Sequence, residues 1–262
     1  MEEIIFSAIA GICGTGLGGL ASVLLVKRSS ENMTCWMLSF AAGIMTSIVC
    51  FGLVPESMEL TSIPVSVAGL IIGILIIMPL NRVVDWFTNT KDGNLKVHQT
   101  HEELYHESPL INDRNRVMML RSGFIMLIAI GLHNVPEGLA IGAGGSHDIQ
   151  LGIILAAMIA LHNIPEGMAI AAPMLAGGID KKMVIFLTAL SGAPTLLGGI
   201  AGALVGSVSD FAVALSLSIA GGAMLYVVFG EIVPQSIILV KNRSATIITL
   251  AGMLIGLILA HI

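Results

Sequence analysis

The chain carries eight apolar runs of transmembrane length, Ile4 to Val26, Thr34 to Val54, Val65 to Val84, Ser122 to Gly142, Ile149 to Ala172, Met183 to Val205, Phe211 to Val233 and Ala245 to Leu259. A hydrocarbon core about 30 Å thick takes roughly 20 apolar residues per helical crossing, whereas a barrel strand needs about half that number. The run lengths therefore predict an all-α membrane protein of eight transmembrane helices. Composition agrees: 55% of residues are hydrophobic and 11% charged, against about a quarter charged in a soluble domain. The formal charge of -5 comes without any basic block, which argues against nucleic acid as a partner. Cys13, Cys35 and Cys50 form no C-x-x-C pair, which argues against a disulfide framework or a thiolate zinc cluster. The first run follows Glu2 and Glu3 rather than a basic segment, so it reads as a retained helix and not as a secretion signal.

The twelve basic residues predict the topology. Lys27 and Arg28 follow span one, Arg82, Lys91, Lys96, Arg114, Arg116 and Arg121 lie between or beside spans three and four, Lys181 and Lys182 follow span five, and Lys241 and Arg243 follow span seven. All fall on one face. Short loops rich in Lys and Arg stay in the cytoplasm, so both termini are expected outside a multi-pass protein of the cell membrane. The outer loops hold Glu56, Glu59, Asp148 and Asp210 without a basic residue, a surface that concentrates cations. The one long connection, about 86–116, carries His98, His101 and His106 beside Glu102, Glu103 and Glu107. Its spacing matches no fixed metal pattern, and it reads as a solvated cytoplasmic linker.

Self-comparison gives the domain plan. Span two, SFAAGIMTSIVCFGLVPES from Ser39 to Ser57, aligns without gaps to span seven, SIAGGAMLYVVFGEIVPQS from Ser218 to Ser236. Span one, with Thr15, Gly18, Gly19 and Ala21, matches span six, with Thr195, Gly198, Gly199 and Ala201, and span three repeats more weakly as span eight. Partners five spans apart cross in opposite directions, as in the inverted repeats of secondary transporters. The expectation is one transmembrane transport domain over 1–262, in a 3+2+3 order: repeats at 1–85 and 180–262 flank central helices at 117–175. The central spans also repeat each other, GLHNVPEGLAIGA against ALHNIPEGMAIAA, and a pseudo-two-fold axis in the membrane plane is expected between them.

These central repeats hold the chemistry. His133 and Glu137 are four residues apart, as are His162 and Glu166, so each pair shares a helix face. Asn134 and Asn163 lie close to the same faces. Pro136 and Pro165 lack the N–H that would bond back to Leu132 and Leu161, which predicts a kink and a released acceptor in each helix. Gly138 and Gly167 permit close helix approach. A charge at the bilayer centre costs about 2.5 to 3.5 kcal/mol or more, and no Lys or Arg lies mid-span to offset the two carboxylates. Protonation or a bound cation remains. Two imidazoles, two carboxylates and amide oxygens suit Zn²⁺, with Fe²⁺, Mn²⁺, Co²⁺ and Cd²⁺ possible. A rise of about 1.5 Å per residue separates each Glu from its His by roughly 6 Å, which predicts carboxylates above and below a central imidazole pair. Glu56 near the outer end of span two and Glu231 near the inner end of span seven sketch an entrance and an exit, although either also suits an interfacial carboxylate reaching water. Met45 and Met224 occupy equivalent repeat positions; they offer thioethers but read better as helix filling.

With its paired motifs HNVPEG and HNIPEG, and with matching spans along essentially the whole chain, the sequence resembles the ZIP family of divalent metal transporters, particularly its GufA-like branch. The resemblance implies zinc as the usual substrate, transport toward the cytoplasm, no prosthetic group and a mid-membrane metal centre. His133, Glu137, His162 and Glu166 are then the principal ligands, with Asn134 and Asn163 contributing to an adjacent position. Glu231, in FGEIVPQS, matches a carboxylate near the cytoplasmic exit; relatives often precede it with His, where this chain has Gly230. Relatives often supply a glutamate from span six, where this chain aligns Thr195 in SGAPTLLGG. Family members are commonly dimeric, so a homodimer is a possible assembly. The competing reading from enzyme chemistry is an intramembrane metallohydrolase, since zinc beside a carboxylate activates water. The H-E-x-x-H signature is absent, and a hydrolase has no need for two inverted copies of its motif.

Overall fold

In hydrocarbon, every main-chain N–H and C=O must find its partner within its own segment or a closed sheet. All regular elements among the described residues are helical. The computed structural model describes residues 2–25, 31–88, 113–205, 210–240 and 243–260. We label the helices α1 (Glu2–Leu25), α2 (Asn32–Leu60), α3 (Ile63–Thr88), α4 (Asp113–His147), α5 (Ile149–Ala176), α6 (Lys181–Leu204), α7 (Asp210–Leu239) and α8 (Ser244–Leu259). The expected linker is shortened at both ends by helix, and its His98, His101 and His106 lie outside the described residues.

Local sequence explains the helix ends. Asp148 caps α5 by accepting from the Gln150 N–H at 2.9 Å, and Asp180 caps α6 by accepting from the Lys182 N–H at 3.0 Å, each satisfying a donor that the first helical turn leaves free. The far end of α5 closes through Gly178 at φ 86°. There the Gly178 N–H bonds to Leu175 O and the Ile179 N–H to Met174 O, both at 3.0 Å, the paired closure that favours glycine. Arg116, at the start of α4, donates from Nε to Gly177 O at 3.4 Å and places a cation at the negative end of α5.

Six helical stretches among the described residues are long and apolar enough to cross a bilayer; two more apolar helices, Ile63–Pro79 and Ser244–Leu259, are shorter. Six crossings, rather than the expected eight, thus satisfy the length criterion. The 16 residues of α8 rise about 24 Å, less than the roughly 30 Å hydrocarbon core. Conversely, α4 has 35 residues and begins before its apolar run, because the polar segment from Asp113 is also helical.

Several helices are irregular. Five-residue π turns occupy Ile9–Cys13 in α1, Val49–Leu53 in α2 and Val228–Ile232 in α7, and α6 is interrupted at Gly192, between Ser191 and Ala193. Pro55, Pro234 and Pro194 follow three of these sites. A proline cannot donate to the carbonyl four residues before it, and a local change of hydrogen-bond step absorbs the defect. By contrast, α4 runs through Pro136 and α5 through Pro165 without interruption of the helix.

Packing contacts come in matched pairs. Helix α4 packs on α6 as α5 packs on α1, α2 packs on α8 as α7 packs on α3, and α4 meets α7 as α5 meets α2. Glycines make the approaches possible. A Cβ on Gly198 would strike Val135 O, and one on Gly18 would strike Ile164 O; one on Gly138 would strike Thr195 O, and one on Gly167 Thr15 O. In the other helices, Gly73 lies against Ile219 O as Gly252 lies against Phe40 O, and Gly222 against Leu70 O as Gly43 against Thr249 O. Such backbone-to-backbone packing gains dispersion energy where hydrocarbon offers little hydrophobic drive. Outward faces carry exposed Leu24, Leu204, Ile247 and Leu254, while the six polar residues of the HNxPEG repeats are buried. This arrangement, apolar outside and polar inside, suits lipid as the solvent.

Candidate metal centre

The four-residue spacing of His133 and Glu137 on α4, and of His162 and Glu166 on α5, directs all four side chains into the contact between these two helices. Their relative exposures are 3%, 1%, 6% and 0%, so water contributes almost nothing to their solvation. His133 Nε2 lies 3.3 Å from Glu137 Oε1 in its own helix and 2.9 Å from Glu166 Oε1 across the interface. His162 Nε2 lies 2.9 Å from Glu137 Oε1. Each imidazole thus bonds to the carboxylate of the opposite helix.

The axial rise separates each glutamate from the histidine of its own helix, yet Glu137 Oε1 lies within reach of both imidazoles. A helical side chain leans toward its helix N-terminus, which lets Glu137 reach back to His133 while the opposing helix brings His162 to the same oxygen. Ligand atoms of His133, Glu137 and Glu166 lie within 4.8 Å of one another. His162 falls outside that mutual trio and joins it through Glu137.

Unsatisfied oxygens distinguish this cluster from an ordinary buried ion-pair network. Glu137 Oε2, Glu166 Oε2, Asn134 Oδ1 and Asn163 Oδ1 are buried and have no hydrogen-bond partner in the protein. A buried polar group left in this condition costs about 1–3 kcal/mol, more when charged. Four such atoms on six neighbouring motif residues, together with imidazole nitrogens, form a donor set suited to a borderline divalent cation.

The two asparagines are held from the other side. Asn134 donates from Nδ2 to Ser191 O at 2.9 Å, and Asn163 from Nδ2 to Ala10 O at 3.1 Å. These acceptors lie at the interruption of α6 and in the π turn of α1. The sequence reading missed both contacts. Pro194, two residues beyond Gly192, was the available signal for the first; the π turn of α1 has no proline and left no comparable trace.

The remaining candidates lie elsewhere. Glu231 is half-buried in the π turn of α7, and Glu56 is exposed in α2; neither belongs to the trio. Their repeat register also differs: Glu56 aligns with Gln235, which is buried and accepts from Ser122 Oγ at 2.9 Å, while Glu231 aligns with Gly52. Met45 and Met224 are fully buried in the large apolar cluster, as filling residues should be. Thr195 is fully buried with Oγ1 unpartnered, whereas Thr15 in α1 donates to Gly11 O at 2.9 Å.

With this geometry established, known proteins provide an independent comparison. The family model described as ZIP zinc transporter matches residues 2–262. A zinc transporter ZupT of Salmonella paratyphi A is 31% identical over 257 residues, covering 95% of this chain and 92% of its own length. The ZupT of Chlorobaculum parvum is 30% identical over 238 residues, covering 87% and 85% respectively.

Proposed function

The chain belongs to the ZIP zinc transporter family, and on that premise we propose that it carries zinc across the membrane toward the cytoplasm through the cluster between α4 and α5. Family members are transporters of divalent metal ions in membranes rather than enzymes. The carrying observation is the group of orphaned buried oxygens, Glu137 Oε2 and Glu166 Oε2 among them, beside two imidazoles. In our reading His133, Glu137, His162 and Glu166 are the principal ligands, Asn134 and Asn163 supply oxygens beside them, and Glu231 receives the ion near the cytoplasmic exit. Zinc is the substrate we infer because imidazole and carboxylate donors suit it and the relatives are named zinc transporters; Fe²⁺, Mn²⁺, Co²⁺ and Cd²⁺ are the alternatives that the same donors admit.

The matched helix contacts support one domain over 1–262 with inverted repeats at 1–85 and 180–262 around central helices at 117–175. We accordingly propose eight crossings in 3+2+3 order, both termini outside, and a cytoplasmic connection at about 86–116. Helix α8 then crosses by locally thinning the bilayer, a modest cost for a short span. A homodimer fits the same reading.

The test is metal uptake into proteoliposomes. Zinc entry should exceed that of the other divalent ions and disappear in Glu137→Ala and in Glu166→Ala, with both variants still monodisperse in detergent. Undiminished uptake in either variant would remove that carboxylate from the path.

A further inference from the structure

The side-chain amides of Asn134 and Asn163 do more than present oxygen atoms. A main-chain carbonyl can only accept a hydrogen bond, so the atoms facing Ser191 O and Ala10 O must be the amide nitrogens. Their placement fixes the orientation of each amide. Because oxygen and nitrogen diverge from one carbon, each Oδ1 is turned away from the carbonyl that holds its Nδ2, and each is buried without a partner.

The acceptors are special for reasons visible in the backbone. In α6, Pro194 has no N–H, and the Thr195 N–H takes a three-residue step to Gly192 O at 3.2 Å instead of the four-residue step that would reach Ser191 O. The Ser191 carbonyl is left to Asn134. In α1, Ala10 lies inside the π turn Ile9–Cys13, and its carbonyl, which already accepts from the Gly14 N–H, takes a second hydrogen bond from Asn163. The two irregular segments also meet each other: a Cβ on Gly11 would strike Gly192 O, and one on Gly192 would strike Gly11 O. Thus α1 and α6 touch backbone to backbone at their irregular turns, and each turn is tied by an asparagine to the helix bearing a His–Glu pair.

We infer that Asn134 and Asn163 are positioning residues that lock the interrupted turns of α6 and α1 to the metal centre, so that movement of the ion and movement of these helices are coupled. This rests on the proposed metal site and adds a role that ligation alone does not require. It explains why an amide serves where a carboxylate would bind a cation more strongly: aspartate keeps the ligand oxygen but sets a second acceptor against the carbonyl. An asparagine amide is tied to a main-chain carbonyl in an irregular turn twice, on opposite helices and with acceptors far apart in sequence. That duplication is hard to attribute to incidental packing.

The test separates binding from turnover. Asn134→Asp and Asn163→Asp are reconstituted for zinc uptake, and zinc-induced stabilisation is measured in detergent. The maximal uptake rate should fall about tenfold, as expected for one lost buried hydrogen bond, while zinc still raises the melting temperature. Pro194→Ala, which touches no proposed ligand, restores an N–H to the interrupted turn and should lower the maximal rate without changing the half-saturating zinc concentration; it also serves if an aspartate variant fails to fold. Wild-type maximal rates, or loss of zinc stabilisation in the aspartate variants, would overturn the positioning role. A His133→Ala protein that is still stabilised by zinc would instead defeat the metal site itself.

Discussion

Glu137 is the residue on which the centre turns. Its Oε1 accepts from His162 at 2.9 Å and lies 3.3 Å from His133, while its Oε2 has no partner. One carboxylate therefore joins both imidazoles and retains a free ligand oxygen. The nearby glycines are equally specific. A side chain on Gly138 would collide with the Thr195 carbonyl and one on Gly167 with the Thr15 carbonyl, so neither contact can relax by rotating a side chain. Replacing either by alanine should destabilise the fold by about 1–3 kcal/mol, as overpacking does elsewhere, seen as a lower melting temperature in detergent. An unchanged melting temperature in both variants would contradict the close approach. The His, Asn, Glu and Gly positions were readable because the motif occurs twice at a helical spacing. The reciprocal bonding was not, because axial rise alone says nothing about how far a glutamate side chain leans back along its helix.

At the scale of elements, end chemistry was legible and interior irregularity largely was not. Asp148 and Asp180 stand where a reader expects caps, and Gly178 where a helix must reverse. At φ 86°, Gly178→Ala should cost about 1–2 kcal/mol, the penalty for a left-handed residue bearing a Cβ. The added atom would also meet the Arg116 guanidinium. A melting temperature unchanged from wild type would show that this closure contributes nothing. The π turns in α2 and α7 precede Pro55 and Pro234 at aligned positions, so the duplicated proline was a usable signal. Pro136 and Pro165, by contrast, lie inside continuous helices. A proline removes one hydrogen bond in every case, and tight packing of α4 against α5 and α6 can hold the helical path despite that loss.

For the whole molecule, the apolar runs and the repeats together foreshadowed the matched contacts of α4 with α6 and α5 with α1. The run Ala245 to Leu259 is the shortest of the eight, and α8 with its 16 helical residues stays below the length that six other stretches reach. What no run of sequence displayed was the grouping of His133, Glu137 and Glu166 across the contact of α4 with α5, with α6 and α1 anchoring the two asparagines; that property belongs to the assembled helices. The central claim is that zinc binds there, and zinc K-edge absorption on the purified protein tests it most directly. The account predicts a nitrogen and oxygen shell at about 2.0–2.2 Å that includes imidazole scattering and vanishes in a His133→Ala, His162→Ala double variant. The same bound-zinc spectrum persisting in that variant would contradict it.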